Sequence, residues 1–429
     1  MLAEFKNHIK VTFPFLADAP VLLAVSGGLD SMVLANLAKM LGWQFAVAHC
    51  NFKLREAASD LDEAFVADWC NSHEVPYFAK TFDLRELKGS IQLEARKVRY
   101  AWFLELMQGG YRYLATAHHL DDAIETFLIN LSRGTGIDGL TSIPEINGSI
   151  VRPLLPFSKD SLEVFAKKQG INWREDASNS SRDYQRNKMR HDVVPKLKEN
   201  TPNFALNFQK TQSFLGLSAL MLDNYADDLK KRFLLPKDDG FTISIEALKE
   251  LSPLEGYLHL LFKSFGFTQW KDLQNLLDAQ SGKEVHSPTH RLIKDREFLL
   301  LVPIMASSQV VYSIPDSEDN IHQPIALSFE EVSGIEKRND RTIYVDKEKL
   351  NYPLKLRKWK IGDYFYPLGM QGSKKVAKFF KDEKLNTLEK ESQWLLCSGD
   401  AIIWIVGRRL DDRFKVGPTT QKILKCTWH

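Results

Sequence analysis

Short apolar runs alternate with segments of helical periodicity along roughly the first 130 residues, and this alternation restricts the possible folds most. The apolar runs predict four strands, at 21–25, 45–49, 76–82 and 113–117. Helical spacing follows each run and predicts helices at 30–41, 64–72, 92–107 and 120–132. Strands that alternate with helices build βαβ units, and short continuous apolar runs are typical of parallel strands. We therefore expect an α/β domain whose parallel sheet is covered by helices on both faces.

The alternation ends near Pro195, and the rest of the chain is organised differently. Long helical stretches follow, and the last segment mixes strands with a short helix after the polar stretch PDSEDN. A chain of 429 residues is also too long for one ordinary core. We predict an α/β domain at 1–198, a mainly helical middle domain at 199–305 and a small α+β domain at 306–429.

Composition limits the cellular setting of the chain. Hydrophobic residues make up 44% and charged residues 26%, as in soluble globular proteins. No apolar run has the length of a membrane span, and the opening MLAEFKNHIK has no signal-peptide core. The four cysteines, Cys50, Cys70, Cys397 and Cys426, are far apart and form no CxxC pair, so a reducing cytoplasm is expected. The sequence leaves the oligomeric state open, with a dimer as one option.

The hexapeptide SGGLDS, at 26–31, lies directly between the first predicted strand and helix. Two glycines let the backbone approach an anion closely, and the helix start offers free N–H groups to it. Asp30 would repel phosphate unless a cation intervenes, which predicts Mg²⁺. The alternative is a simple turn in which Asp30 caps the helix. The pattern GxxxxGK[ST] is absent, so this is not an ordinary P-loop.

An acidic cluster begins the helix predicted at 120–132. Asp121, Asp122 and Glu125 share one face of that helix, and His118 lies one turn before Asp122. Clustered carboxylates repel one another, and a cationic ligand would relieve the repulsion. A cationic substrate is favoured, and two alternatives stay open: a solvated first turn and a metal site built from His118 and Asp122.

A basic segment lies near the C-terminal end. Between Pro353 and Lys381, eight cations oppose only Asp363, which gives a net charge of +7 in 29 residues. The interleaved aromatic residues are Trp359, Tyr364, Phe365 and Tyr366. Cations with exposed aromatics are typical of nucleic-acid binding, although a lysine run is often only a solvated surface.

These motifs resemble a known family. SGGLDS resembles the signature of the PP-loop ATP pyrophosphatases, and HHLDDAIETFLINLSRGTGIDGL resembles the second signature of the tRNA(Ile)-lysidine synthetases. Three further segments, at 49–66, 91–103 and 173–195, match that family in order and spacing. RKWKIGDYFYPLGMQGSKKVAKFFKDEKL resembles its C-terminal tRNA-binding domain. The chain departs from the family pattern at Asn386, where a proline is common, and at Lys390, where an arginine is usual.

The resemblance implies a role for each matching residue. The polar members of the three supporting segments are His49, Asn51, Arg55, Glu94, Tyr100, Asp176, Ser178, Asn179 and Asn187. The implied ATP-binding residues are Ser26, Gly27, Gly28, Leu29, Asp30, Ser31, Arg96 and Arg99. The implied lysine-binding residues are Asp121, Asp122 and Glu125, and the implied catalytic residues are Asp30, which would also bind Mg²⁺, His118 and Asp122. The implied tRNA-binding residues are Arg186, Arg190, Lys358, Lys360, Lys374 and Lys375, although Arg186 and Arg190 fit a charged domain-closing helix equally well.

The resemblance also implies a reaction. A ligase of this family uses ATP to adenylate the wobble cytidine of a tRNA(Ile) with a CAU anticodon, and free L-lysine then displaces AMP. The main alternative is another PP-loop enzyme, a tRNA thiolase that modifies cytidine or uridine. Such enzymes need reactive thiols or an iron–sulfur cluster, and the isolated cysteines of this chain favour the ligase.

Overall fold

The computed structural model describes residues 1–53, 57–82, 91–175, 185–304, 310–336 and 341–429. Four residues that the sequence analysis named, Arg55, Asp176, Ser178 and Asn179, lie outside these ranges. The chain divides into two compact units, Met1–Leu222 and Asp223–His429. None of the helices in the described ranges is long and apolar enough to cross a membrane.

The first unit is an α/β structure. Its strands are β1 (Val21–Ala24), β2 (Phe45–Asn51), β3 (Tyr77–Thr81), β4 (Tyr113–Ala115), β5 (Ile146–Asn147) and β6 (Ile150–Val151). Its helices are α1 (Leu2–Thr12), α2 (Leu29–Met40), α3 (Ala57–Ser72), α4 (Ile91–Met107), α5 (Leu120–Ser132), α6 (Ile137–Leu140), α7 (Lys159–Gln169), α8 (Gln185–Lys188) and α9 (Val194–Asn200). A π-helical segment, Met189–Val193, joins α8 to α9. Helix α10 (Phe204–Phe233) begins in this unit and continues into the next.

The sheet of the first unit has the strand order β3-β2-β1-β4-β6-β5. Neighbours from β3 to β6 are parallel, and only the short edge strand β5 is antiparallel. Buried side chains of β1 alternate between two cores, with Leu23 packing in the larger core and Leu22 facing Trp102 of α4. Both faces are therefore covered, as the apolar runs predicted. The fold class is confirmed, and the β5–β6 hairpin is an addition that the sequence analysis did not foresee.

The order of strands positions the site. From β1 the chain proceeds to β2 and β3 on one side, whereas β4 pairs with the other side of β1. The connections that leave β1 and β4 therefore diverge at the carboxyl edge of the sheet. Such a switch point opens a crevice in which ligands of open α/β sheets bind. The loop 25–28 and the segment 116–119 both lie at this edge.

The second unit combines helices with antiparallel sheets. Its helices are α11 (Ile245–Lys249), α12 (Leu254–Phe262), α13 (Trp270–Leu276), α14 (Val376–Asp382) and α15 (Thr387–Ser392). A first sheet contains β7 (Leu235–Lys237), β8 (Gly240–Ser244), β9 (Glu284–His286), β10 (His290–Asp295) and β11 (Phe298–Pro303). The sequence predicts the helices α10, α12 and α13 and a strand at FLLLVP, which is β11, whereas the other four strands of this sheet and α11 were not predicted. Three of its strands have only three to five residues, which is too short for a clear alternating pattern.

The remaining strands form three further sheets. They are β12 (Tyr312–Ile314), β13 (Asn320–Ile321), β14 (Leu327–Val332), β15 (Thr342–Asp346), β16 (Leu354–Lys358), β17 (Tyr364–Phe365), β18 (Lys374–Lys375), β19 (Trp394–Ser398), β20 (Ala401–Ile405), β21 (Arg409–Leu410) and β22 (Ile423–Trp428). The strand orders are β12-β16-β19-β20-β21, β13-β14-β22-β15 and β17-β18. Most of the basic segment therefore lies on β16, the small β17–β18 hairpin and α14.

Candidate active site at the carboxyl ends of strands β1 and β4

The loop after β1 is held in a compact turn by its own side chains. Gly27 has φ +91, and a Cβ atom there would lie 3.3 Å from Val66 Cγ2 of α3, so a larger residue would be strained. Ser31 Oγ donates to the Gly28 carbonyl at 2.9 Å, and the Ser26 N–H donates to Ser31 Oγ at 3.2 Å. Gly28 is the N-cap of the 12-residue helix α2. The positive end of that helix therefore points into the crevice, where an anion would be stabilised.

Asp30 lies in the first turn of α2 and faces the start of α5. Its Oδ2 lies 3.5 Å from His119 Nε2. Its Oδ1 is buried and has no hydrogen-bond partner among the described residues. No group of three or more His, Cys, Asp or Glu side chains in the described ranges has an arrangement that could hold a metal ion. A cation at Asp30 would therefore take most of its ligands from phosphate and water, as Mg²⁺ commonly does.

His119, which the sequence analysis did not select, connects the two elements. Its ring is buried, with Nε2 3.6 Å from Asp122 Oδ2 and Nδ1 3.9 Å from Asp121 Oδ2. Burial alone would lower the pKa of His119, but the surrounding carboxylates, led by Asp122, raise it above its ordinary value. The surrounding carboxylates therefore favour the protonated form of His119, which lies between Asp30 and α5. The available sequence signal was its position directly before Leu120-Asp121-Asp122, as the N-cap of α5.

Asp122 and Glu125 are bound by two arginines from a distant part of the chain. Arg186 Nε donates to Glu125 Oε2 at 2.8 Å and its Nη2 to Asp122 Oδ1 at 3.0 Å. Arg190, on the π-helical segment, donates from Nε to Glu125 Oε1 at 2.7 Å and from Nη2 to Asp122 Oδ1 at 3.2 Å. Glu125 is 1% exposed. The repulsion expected within the acidic cluster is therefore relieved by the chain's own guanidinium groups.

Asp121 contacts different residues from those that bind Asp122 and Glu125. Its Oδ2 accepts the Lys159 N–H, at the start of α7, at 2.8 Å, and its Oδ1 forms an ion pair with Lys198 of α9. Burial would raise the pKa of Asp121, but the Lys159 N–H and Lys198 together lower it. Lys198 also pairs with Asp160 at 3.2 Å. Asp121 thus ties α5 to α7 and α9.

The opposite side of α5 is apolar and packs against a hydrophobic cluster, with one exception. Ile124 is fully buried, and Phe127 and Leu128 pack against the same cluster, whereas Leu131 is exposed. The acidic side is also buried, so α5 is enclosed on both sides of its first turn.

His118 is half-buried and lies in the segment between β4 and α5, at the same edge of the sheet. Its Nδ1 lies 2.8 Å from Thr116 Oγ1. Burial lowers the pKa of His118 to about 4, although Asp122 acts in the opposite direction. The ring is therefore neutral at pH 7 and has an acceptor nitrogen.

Two arginines on α4 were predicted to bind phosphate, and both are exposed. The Arg96 guanidinium lies 4.9 Å from the centre of the Tyr100 ring, and that of Arg99 lies 5.1 Å from the Phe52 ring. The positive charge of Arg96 acts on His118, and that of Arg99 acts on His49. His49 lies at the end of β2 and contacts the Val25 carbonyl at 2.9 Å. Both guanidinium groups are therefore within electrostatic reach of the carboxyl edge of the sheet.

The four lysines predicted to bind tRNA differ in their surroundings. Lys358 donates to the Ser392 carbonyl and lies 4.1 Å from the Trp394 ring centre, and burial lowers its pKa to about 8. Lys374 pairs with Asp382 at 2.8 Å. Lys360 and Lys375 are exposed. The last two are the members of this group best placed to meet an external phosphate.

None of the four cysteines has the character of a reactive thiol. Cys70, Cys397 and Cys426 are buried, and Cys50 is half-buried. Burial raises the pKa of Cys397 to about 11 and those of the other three to about 12. The thiolate, which is the nucleophile and the metal ligand, is therefore strongly disfavoured.

Comparison with known proteins covers almost the whole chain. A family model described as a PP-loop domain matches residues 1–197, and models of the TilS substrate binding domain and the TilS substrate C-terminal domain match residues 236–304 and 354–428. A tRNA(Ile)-lysidine synthase from Parabacteroides distasonis is 39% identical over 419 residues, covering 95% of this chain and 95% of its own. The chain belongs to the tRNA(Ile)-lysidine synthase family. Members from Bacteroides thetaiotaomicron and Porphyromonas gingivalis are 35% and 34% identical and cover 97% and 93% of this chain.

Membership of the tRNA(Ile)-lysidine synthase family confirms the resemblance found in the motifs. The PP-loop match includes both SGGLDS and the acidic helix α5, and the two TilS matches include the helical stretch after α10 and the basic segment. One departure from the family pattern has a structural explanation. Asn386 is the N-cap of α15, where its Oδ1 accepts the Glu389 N–H at 2.9 Å and its own N–H donates to Glu389 Oε2 at 2.7 Å. A proline there would lack the N–H of this reciprocal pair.

Proposed function

We propose that the chain attaches lysine to C2 of the wobble cytidine in a tRNA(Ile) with a CAU anticodon. In the first step the cytosine C2 oxygen attacks the α-phosphate of ATP, and pyrophosphate leaves. In the second step the lysine ε-amine attacks C2, and AMP leaves with the former C2 oxygen. The observation that carries this proposal is that the phosphate loop and the acidic helix meet at one switch point in a chain of this family.

The loop 26–31 would bind the phosphates of ATP. Two features support this role: helix α2 begins at Gly28 without a side-chain cap, and Ser26 and Ser31 provide hydroxyl groups. Asp30 would hold Mg²⁺, because its unpartnered Oδ1 fits a single carboxylate ligand in an otherwise phosphate and water shell. Mg²⁺, when bound there, neutralises phosphate charge. Arg96 and Arg99, exposed near the same edge, would bind the departing pyrophosphate.

Free lysine would bind at Asp122 and Glu125. Its ammonium group would compete with the guanidinium groups of Arg186 and Arg190 for the same carboxylate oxygens. A displaced arginine keeps its charge and becomes able to pair with phosphate, which agrees with the tRNA-binding role predicted for both arginines. Asp121 would act indirectly by fixing α5 against α7 and α9.

The attacking amine must first lose a proton, because an ammonium group is not a nucleophile. The proposed acceptors are His118 and the carboxylates of α5: the His118 ring is neutral at pH 7, and although burial makes it a weak base, the charge of Asp122 favours its protonation. His119, whose protonated form the nearby carboxylates favour, would remain in place between Asp30 and Asp122.

The thiolase alternative lacks the chemistry that it needs. Sulfur transfer requires accessible thiolates or a cluster held by them. All four cysteines of this chain are free thiols whose pKa values burial raises to about 11 or 12. The ligase is therefore the function we propose, with a cytoplasmic location and with the three predicted domains at 1–198, 199–305 and 306–429.

One assay tests the proposal as a whole. Purified protein is incubated with ATP, Mg²⁺, radiolabelled L-lysine and an unmodified tRNA(Ile) transcript with a CAU anticodon. We expect lysine label in the tRNA, with AMP and pyrophosphate formed in equal amounts. A transcript whose wobble cytidine is replaced by uridine is the control and should incorporate no lysine. Label in both transcripts, or in neither, would refute the proposal.

A further inference from the structure

Two tyrosines and one arginine form a stack on the surface of the second unit. The Arg413 guanidinium carbon lies 4.4 Å from the centre of the Tyr366 ring. The Tyr364 ring meets the Tyr366 ring edge-on at 6.2 Å between centres. Tyr364 is 54% exposed, and the Arg413 side chain is 39% exposed. We call these three residues the Tyr364–Tyr366–Arg413 stack.

A buried carboxylate fixes the arginine of this stack in one orientation. Asp411 is 0% exposed, and it accepts from Arg413 Nε at 3.0 Å and from Arg413 Nη2 at 2.8 Å. The same carboxylate accepts the Tyr366 N–H at 2.9 Å, so it also fixes the backbone that carries the tyrosine. A guanidinium group held by its edge can stack through its faces, and Tyr366 covers one face of Arg413. The Arg413 side chain is therefore already ordered in the free protein, so ligand binding costs less conformational entropy.

The other aromatic residues of the basic segment are not available to a ligand in this way. Phe365 is fully buried, and Trp359 packs edge-on against Phe380 at 5.4 Å. Of the four aromatics that the sequence analysis selected, Tyr364 is therefore the exposed one, and the half-buried Tyr366 lies beside it.

The charge around the stack favours an anionic partner. Tyr364 lies opposite the exposed Lys375 in the β17–β18 pair, and Lys360 is also exposed. The segment between Pro353 and Lys381 carries a net charge of +7. Aromatic rings and a planar guanidinium group on a positively charged surface are suited to binding a nucleic acid. Bases stack on the rings, and the lysines contact the phosphates.

We propose that the Tyr364–Tyr366–Arg413 stack is a binding site for an unpaired base of the tRNA substrate. An unpaired nucleotide can present a whole base face to such a platform, whereas a base inside a helix is covered by its stacked neighbours. The tRNA as partner rests on the proposed function, whereas the requirement for an unpaired base rests on the geometry of the stack. Arg413 and Asp411 lie outside the basic segment, so the sequence pattern alone did not include them.

The test uses the full-length protein and two RNAs, the unmodified tRNA(Ile) transcript and a blunt RNA duplex without unpaired bases. Dissociation constants are measured at several salt concentrations. We expect Tyr364→Leu and Arg413→Lys each to weaken tRNA binding about 5-fold to 150-fold, the range that corresponds to about 1–3 kcal/mol per stacked base. Neither change should alter the salt dependence, because Arg413→Lys keeps the charge and Tyr364 has none. Duplex binding should be unchanged.

Two matched variants separate stacking from charge. Tyr364→Phe keeps the ring and should bind tRNA as the wild type does. Lys375→Gln removes a neighbouring cation and should flatten the plot of log affinity against log salt by about 0.7–0.9 for both RNAs. Circular dichroism checks the fold of each variant, and Tyr364→Leu, at an exposed position, still tests the site if Arg413→Lys misfolds.

Several outcomes would overturn the inference. Wild-type affinity of Tyr364→Leu for the tRNA would show that the stack contributes nothing to binding. Equal losses of affinity for the tRNA and for the duplex would show that the stack does not bind unpaired bases selectively. A wild type that binds the tRNA no better than the duplex would instead count against the tRNA partner itself. Because binding is measured without lysine, a failure of lysine ligation would leave this result unaffected.

Discussion

At the scale of single residues, Asp30 is distinguished by a buried carboxylate oxygen without a hydrogen-bond partner among the described residues. Asp30→Ala should abolish ATP-dependent pyrophosphate release, because it removes the proposed Mg²⁺ ligand at the phosphate loop. Binding of tRNA should change little, since the change leaves the basic segment intact. The matched control is Asp68→Ala, an exposed carboxylate on α3, which should behave as the wild type. Pyrophosphate release by Asp30→Ala at the wild-type rate would refute the role of Asp30.

The three acids of α5 differ in what they touch, so their neutral variants should differ as well. Asp122→Asn and Glu125→Gln should raise the lysine concentration for half-maximal rate at least tenfold and the ATP concentration much less. The reason is that both carboxylates face the two arginines with which lysine would compete. Steady-state rates with varied lysine and varied ATP distinguish the two effects. Equal effects on lysine and ATP would indicate a structural or metal-binding role for this face of α5.

Asp121→Asn should act mainly on stability, and its effect should depend on pH. The pKa of Asp121 is lowered in the folded state, so its ion pair stabilises the protein above the unfolded-state value of about 4. This contribution is lost as the pH falls below 4 through the folded-state pKa. We expect the variant to be less stable by about 1–2 kcal/mol at pH 7. Urea unfolding of the wild type and the variant at pH 7 and pH 3 would measure this loss of stability. The same difference in unfolding free energy at both pH values would contradict the prediction.

At the scale of secondary structure, helical periodicity in the sequence predicted where the helices lie. It did not predict which distant residues contact them. The bounds of α5 were predicted as they are found, because apolar spacing and the turn before it are local signals. The burial of its acidic face was not predictable, since Arg186 and Arg190 lie more than 60 residues further along the chain. Asp411 also has a distant partner, because it accepts the N–H of Tyr366, 45 residues earlier in the chain. Local patterns thus predicted the loop and the helix of the candidate site but not the cations that occupy it.

The helix α15 offers a test of a local departure from the family pattern. Asn386→Ala removes the side-chain oxygen that caps the helix and should cost about 0.5–2 kcal/mol of local stability. Asn386→Asp retains an acceptor and should behave as the wild type, and so should Lys390→Ala, which leaves the cap intact. Amide hydrogen exchange of residues 387–392 is the measurement. Unchanged exchange in Asn386→Ala would show that the cap does not stabilise this helix.

At the scale of the whole molecule, the proposed ATP site and the basic segment belong to different units. A fragment of residues 1–234, which keeps α10 intact, should bind ATP but bind tRNA weakly and with little salt dependence. Each lost phosphate contact flattens the salt dependence by about 0.7–0.9 in log units. Calorimetry with ATP and filter binding with tRNA at several salt concentrations test this. A well-folded fragment that binds tRNA as tightly as the full chain would move the tRNA-binding role to Arg186, Arg190 and α10.

The strand β22 lies between β14 and β15, although both precede it by about 80 residues or more. The whole β16–β21 segment, with most of the basic residues, is enclosed in the chain between them. Until β22 arrives, β14 and β15 each have an unpaired edge that can recruit strands from other molecules. Closing so long a loop is slow compared with local helix formation. The four-stranded sheet should thus be a late part of the second unit to form, and its open edges the part of that unit most in need of chaperone protection.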